Sequence, residues 1–113
     1  MQTSAKQLLQ ESIVQYIREH FSDPSLCMMS LVQEFCVSDT FVRFAIQTLT
    51  GMNFSSYLTG IRMEEAARRL RETEESINTV AERCGYEVLG TFYRNFKQYH
   101  GVPPAEYKNA GLK

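Results

Sequence analysis

The residues able to do covalent or metal chemistry are present but scattered. His20 and His100 are far apart, and each falls at the expected end of a helix, where a cation suits the backbone dipole. No Ser–His–Asp set, Cys–His pair or glycine-rich phosphate loop occurs at a meaningful spacing. Cys27, Cys36 and Cys84 form an odd set without the paired spacing of a metal site, and they read as reduced thiols. Glu64-Glu65 and Glu74-Glu75 read as solvated helix surface rather than as an acid–base pair. Catalysis, a metal and a cofactor are therefore not expected. What remains is hydrogen-bonding chemistry. Arg43 offers the forked donors that pair with guanine, and Gln47, four residues on, an amide suited to adenine or a phosphate. Arg94 offers a base or phosphate contact, Lys97 a phosphate contact, and Tyr93 a hydroxyl for phosphate.

These side chains need helices to aim them, and the apolar spacing supplies the helices. Leu8, Leu9, Ile13, Tyr16, Ile17 and Phe21 recur at helical steps until Ser22-Asp23-Pro24-Ser25 breaks the pattern. A short helix from about Met28 to Phe35 follows, then a tight break at Cys36-Val37-Ser38. Ser38 is a suitable N-cap for a helix of about Asp39 to Thr50 that buries Val42, Ala45, Ile46 and Leu49 and stops at Gly51. Asn53 caps a longer helix reaching about Glu72, with an apolar stripe of Phe54, Tyr57, Leu58, Ile61, Ala66 and Leu70. Ser76 opens another short helix marked by Ile77, Val80 and Ala81, and Cys84-Gly85-Tyr86 turns the chain. A further helix from about Thr91 to Tyr99 buries Phe92 and Phe96 and stops at Gly101.

The pattern occurs twice. Leu31-Val32 falls on Val80-Ala81 at an offset of 49, and one extra residue in the second turn makes the offset 50 thereafter. Val42 then meets Phe92, Ile46 meets Phe96, Leu49 meets Tyr99, Gly51 meets Gly101 and Tyr57 meets Tyr107. Chance amphipathicity supplies matching apolar positions more readily than a stop glycine and a trailing tyrosine at one offset. The reading is an all-α fold of two helix-turn-helix subdomains, each a homeodomain-like three-helix unit, joined by a long connecting helix. A connecting helix of about 18 residues spans roughly 27 Å. With half of each unit added, the second helices are expected about one DNA turn apart, near 34 Å, so that one chain enters two successive major-groove segments.

Charge neither demands nor forbids such a partner. The 113 residues carry a formal net charge of −1, and 43% of them are apolar. Residues 76–108 are mildly cationic, with Arg83, Arg94, Lys97 and Lys108 against Glu82, Glu87 and Glu106. Where the cations lie matters more than their sum. No apolar run is long enough for a membrane span or a secretory signal, so a cytoplasmic location is expected.

With these residues in hand the chain resembles the DNA-binding domain of the AraC/XylS family of bacterial transcription regulators. The resemblance rests on Gly85-Tyr86, Phe92-Tyr93-Arg94-Asn95-Phe96-Lys97 and Gly101-Val102-Pro103-Pro104-Ala105-Glu106-Tyr107. In the middle of the chain it rests on Gly51-Met52-Asn53-Phe54, Tyr57-Leu58, Ile61-Arg62 and Ala66-Ala67, and it runs from about Leu8 to Lys108. It implies that the helices at 39–50 and about 89–99 are recognition helices. It also implies control of transcription, usually activation through contact with RNA polymerase. The chain departs from the family pattern at Cys27, where Ser or Thr usually caps, and at Ile46, where Phe is usual. Its first recognition helix has Arg43 as sole cation beside the acidic Asp39, which weighs against tight binding by the first unit.

The candidate DNA contacts are Thr40, Arg43, Phe44 and Gln47 on the first recognition helix. On the second they are Leu89, Gly90, Tyr93, Arg94 and Lys97, with Val88 beside them. Phe44 is expected to fold back and pack, and Arg62 to make a structural ion pair rather than a phosphate contact. Ser38 and Ser76 are caps first and phosphate contacts second. The expected boundaries are a flexible N-terminus at 1–7, a first subdomain at 8–51, a connecting helix at 52–74, a second subdomain at 75–108 and a flexible tail at 109–113. The expected partner is double-stranded DNA, with RNA polymerase and a sensing or dimerisation domain of a longer regulator as further partners. A helical protein-interaction module with weakened DNA binding is the competing reading, motivated by the low net charge, Phe44 and Leu89.

Overall fold

Short polar side chains decide where the helices begin. In the computed structural model, which describes residues 4–111, the hydroxyls of Ser4, Ser38 and Ser76 accept from the backbone N–H of Gln7, Phe41 and Thr79. Asn53 does the same with its amide oxygen, accepting from Ser56 N–H at 2.8 Å. Each cap satisfies one backbone donor that the first turn of a helix leaves unpaired. At the other end, Gly51 and Gly101 terminate their helices at φ 72° and 83°, a region that penalises any residue with a Cβ. The described residues form seven helices and no strand: α1 (Ala5–His20), α2 (Met28–Phe35), α3 (Asp39–Thr50), α4 (Phe54–Glu72), α5 (Ile77–Arg83), α6 (Leu89–His100) and α7 (Pro104–Gly111).

The chain divides into two compact units. In the first, α3 packs against α1 and α2, and Ile13, Ile17, Leu31, Val42, Ala45 and Ile46 are wholly buried. In the second, α6 packs against α5 and α7 around Met63, Ala66, Leu70, Val80, Ala81, Cys84, Tyr86, Phe92 and Phe96. Phe92 and Phe96 are its largest enclosed side chains, and truncating such a ring to alanine typically costs 3–5 kcal/mol. Burial also raises the Cys84 thiol to about 12, which keeps it protonated and inert. Cys27 is exposed, and a hydrogen bond with the Ser30 hydroxyl lowers its thiol.

The repeated positions agree in environment, unit by unit. Val42 and Phe92 are both fully buried, as are Ile46 and Phe96 and, at the shorter offset, Leu31 and Val80. Leu49 and Tyr99 are also alike, but at 44% and 46% exposure, so the expected burial of Leu49 does not hold. Both lie in the last turn of their helix. The stripe on α1 also differs from expectation, with Leu8 53% exposed and Gln10 only 6%. At 100° per residue Gln10 lies about 60° from Ile13 around the helix and Leu8 about 140°, so geometry overrides polarity. Helix α1 starts at Ala5 and α7 ends at Gly111, so 5–7 and 109–111 are helical. The remainder of the expected flexible ends lies outside the described residues. Helix α6 likewise starts at Leu89, two residues before the expected Thr91.

Two carboxylates organise the outer side of the second unit. Glu65 accepts two hydrogen bonds from Arg68 at 2.8 Å and one from Arg69 at 2.9 Å. Arg69 also reaches Glu75 at 2.9 Å, Arg83 pairs with Glu75 at 2.6 Å, and Lys108 donates to the Glu75 backbone carbonyl at 2.8 Å. The network joins α4, the turn after it, α5 and α7. Glu65 and Glu75 are thus ion-pair centres, each with 20% side-chain exposure, rather than freely solvated carboxylates.

Hydrogen bonds from Arg68, outweighing the cost of burial, hold the Glu65 carboxyl below the ordinary glutamate range. A carboxyl so lowered stabilises the fold fully above its unfolded pKa of about 4.3 and loses that contribution as pH falls through the native value. E65Q should cost about 1 kcal/mol at pH 7, a fall of roughly 4–8 °C in melting temperature. The gap to wild type should close as thermal melts are repeated below about pH 3, and a gap that persists there assigns Glu65 no such role. A thiol reagent added to the native protein should label Cys27 and Cys36 and spare Cys84.

Candidate nucleic-acid interface

Burial on one side of α3 dictates what its other side presents. With Val42, Ala45 and Ile46 enclosed, Thr40, Arg43, Phe44 and Gln47 are all exposed. Arg43 is 72% exposed at its side chain, and its Nε lies 2.8 Å from Oδ2 of Asp39, one turn earlier. Phe44 is 53% exposed, so it does not fold back as expected, and the ammonium of Lys6 lies 5.4 Å from its ring centre. A ring at that distance from a cation gains modest electrostatic stabilisation while staying open to solvent.

Helix α6 presents a different chemistry. Arg94 and Lys97 are exposed, and neither side chain makes a hydrogen bond or ion pair among the described residues. Tyr93 between them and Phe92 is 38% exposed, its ring edge-on to Phe92 at 6.1 Å between centres. Gly90 is exposed, and a Cβ built there meets nothing within 4 Å. Val88, at the N-cap, is 63% exposed. Leu89 is partly buried and packs against the core of the second unit, which leaves part of its side chain open to solvent. Asn95 is held inward by its hydrogen bond to the Tyr86 hydroxyl at 3.1 Å.

The arginines thus divide into engaged and available. Arg43, Arg68, Arg69 and Arg83 are ion-paired, and Arg71 donates to the Tyr107 hydroxyl at 2.7 Å. Arg62 is engaged within the fold: it donates to the Asp23 backbone carbonyl at 3.0 Å, lies over the Tyr86 ring at 5.5 Å and feels the charge of the Asp23 carboxylate. Burial lowers its pKa. Ser38 and Ser76 spend their hydroxyls on helix caps, and Ser76 also donates to the Thr79 hydroxyl at 3.0 Å. The Asp39–Arg43 pairing is the feature the sequence reading passed over, although its four-residue spacing on a helix was the signal.

The chain matches the family model for a helix-turn-helix domain over residues 31–110. Among curated proteins it is 31% identical over 97 residues to the multiple antibiotic resistance protein MarA of Salmonella typhimurium, covering 86% of this chain and 76% of that one. Among solved structures it is similar to the C-terminal domain of AraT, a response regulator from Geobacillus stearothermophilus. There the TM-score is 0.88 and the identity 36%, over 95% of this chain and 88% of that one. It is also similar to the DNA-binding domain of the global transcriptional factor AdpA in complex with a target DNA. That match has a TM-score of 0.82 and 25% identity, over 89% of this chain and 90% of that one.

The division of the arginines is testable without any ligand. R62A should cost about 2 kcal/mol in chemical denaturation, because it removes a charged donor's bond to the Asp23 carbonyl and uncovers the buried Tyr86 ring. R94A should leave the denaturation midpoint unchanged within error. Equal losses in the two variants would mean that Arg94 is structural too.

Proposed function

We propose that this chain, which belongs to the AraC/XylS family of helix-turn-helix DNA-binding domains, binds double-stranded DNA sequence-specifically and regulates bacterial transcription. The observation that carries the reading is the pair of unengaged cations on α6, Arg94 and Lys97, in a chain whose other arginines, apart from the exposed Arg18 on α1, are engaged within the fold. Cations held by protein carboxylates gain little from a phosphate, since one ion pair replaces another. Unengaged ones on an exposed helix face gain the attraction and release condensed counterions from the duplex. Support also comes from AdpA, whose similar domain was solved on a target DNA.

In this reading α3 and α6 are the two recognition helices and enter successive major-groove segments. Arg94 and Lys97 grip phosphate or base edges, and Tyr93 adds a hydroxyl. Gly90 lets the backbone approach the duplex closely, since no side chain stands in the way. Thr40, Arg43, Phe44 and Gln47 face the other segment, with Phe44 placed for a thymine methyl. The regulator acts as an activator through RNA polymerase, under a sensing domain, in the cytoplasm where the chromosome is reached. The AraT domain supports the link to a sensor, since it is one part of a response regulator. The exposed Leu8 and Phe44 favour a second reading, a helical module that binds a protein.

Selection of bound duplexes from a random pool, followed by titration of the selected site at several salt concentrations, separates the two. The expected result is a selected sequence and an affinity that falls steeply with salt. R94A and K97A should each weaken binding about tenfold, and a phosphate-contacting residue should lower the log–log salt slope by about one when removed. No selected sequence, or an affinity indifferent to salt, would establish the protein-binding module instead.

A further inference from the structure

The two candidate recognition helices differ in charge in a way that assigns them different work. Helix α6 carries Arg94 and Lys97 with no acidic residue along its length. Helix α3 carries one cation, Arg43, and one acid, Asp39, and the two are paired at 2.8 Å with both side chains more than half exposed. Such a surface pair contributes little to stability, with a typical worth below about 1 kcal/mol. Its geometry is more informative than its energy.

Guanidinium presents five N–H donors in a planar fork. The closest approach of Asp39 is to Nε, on the flank of that fork. The two terminal nitrogens have no partner among the described residues, and together they match O6 and N7 of guanine. A guanidinium fixed in this way loses less rotamer freedom on meeting a base than one that swings freely on its stem. The same carboxylate repels phosphate oxygens, so the DNA backbone is a poor substitute partner for Arg43. Neighbouring side chains add no competing charge on this helix, because Thr40, Phe44 and Gln47 are neutral.

We propose that Asp39 is a positioning residue that holds Arg43 for bidentate reading of one guanine and denies it to phosphate. The proposal rests on the DNA-binding reading above and deepens it. The first unit then supplies discrimination at a defined base, while α6 supplies most of the salt-dependent grip. Asp39 therefore lowers affinity for arbitrary DNA and raises the contrast between right and wrong sequence.

The test uses the selected site, variants of that site at each guanine, and an unselected duplex, titrated against wild type, D39A, D39N, R43A and D39A/R43A. R43A should erase about tenfold of preference at one guanine. D39A should erase most of the same preference, yet bind the unselected duplex more tightly with a steeper salt slope as Arg43 turns to phosphate. D39N keeps the size and polarity of the side chain beside Nε without its charge and should retain more of the preference than D39A. In the R43A background, removing Asp39 should no longer change the preference. Unchanged guanine preference in D39A overturns the proposal while leaving DNA binding intact, as does an equal effect of D39A with and without Arg43. A wild-type chain that selects no sequence overturns the DNA-binding reading and this proposal together.

Discussion

A helix can aim side chains at a ligand only if its other side is held, and in this chain the hold is burial of two or three apolar residues per helix. Val42, Ala45 and Ile46 anchor α3, and Phe92 and Phe96 anchor α6. Every exposed candidate contact inherits its direction from those anchors through the 100° step of the helix. The glycine stops and polar caps fix the register along the axis, and the burial fixes rotation about it. A slip of one residue would turn Arg94 from solvent toward the core. The fold is therefore the positioning device, and its precision comes from packing rather than from any interaction at the exposed face.

Electrostatics then decide which of the aimed groups are available. Three cations of the second unit, Arg68, Arg69 and Arg83, are ion-paired to Glu65 and Glu75, which ties α4 to α5, and Lys108 joins α7 to them through the Glu75 backbone carbonyl. This explains how a chain of net charge −1 can still offer a cationic helix face. Charges spent inside the fold cancel in the sum and are absent from the surface that matters. Arg94 and Lys97 escape cancellation because α6 itself carries no acid and none of the network reaches them. Net charge is a poor guide here for that physical reason.

The sequence was most legible where a local rule had one solution. Ser38, Asn53 and Ser76 as caps, Gly51 and Gly101 as stops, and Met28–Phe35 as a short helix all follow from backbone donors and left-handed geometry, and the structure has them. The repeat was legible because packing imposes the same environment on residues 50 apart, down to the shared exposure of Leu49 and Tyr99. Legibility failed where two rules competed. Gln10 is buried and Leu8 exposed because rotation about α1 outranks side-chain polarity, and Leu89 turns inward because the first turn of α6 lies over the core. Phe44 is exposed because it lies on the side of α3 away from Val42, Ala45 and Ile46, with a single cation, Lys6, near its ring.

The family resemblance and the repeat both invite treating the two units as equivalent, and the side chains argue against it. Equivalent anchors occupy equivalent positions, yet position 39 is acidic and tied to Arg43, while its counterpart in the second unit is Leu89, held against the core. Cap chemistry differs as well: Ser38 caps α3 with its hydroxyl, whereas Val88 begins α6 with no side-chain cap. Duplication preserved what the core requires, because a lost anchor costs several kcal/mol. The outward positions are not constrained by packing and are free to differ between the two helices. The two helices therefore share the places of their anchors but differ in cap, in the charge at positions 39 and 89, and in which of those two residues packs inward.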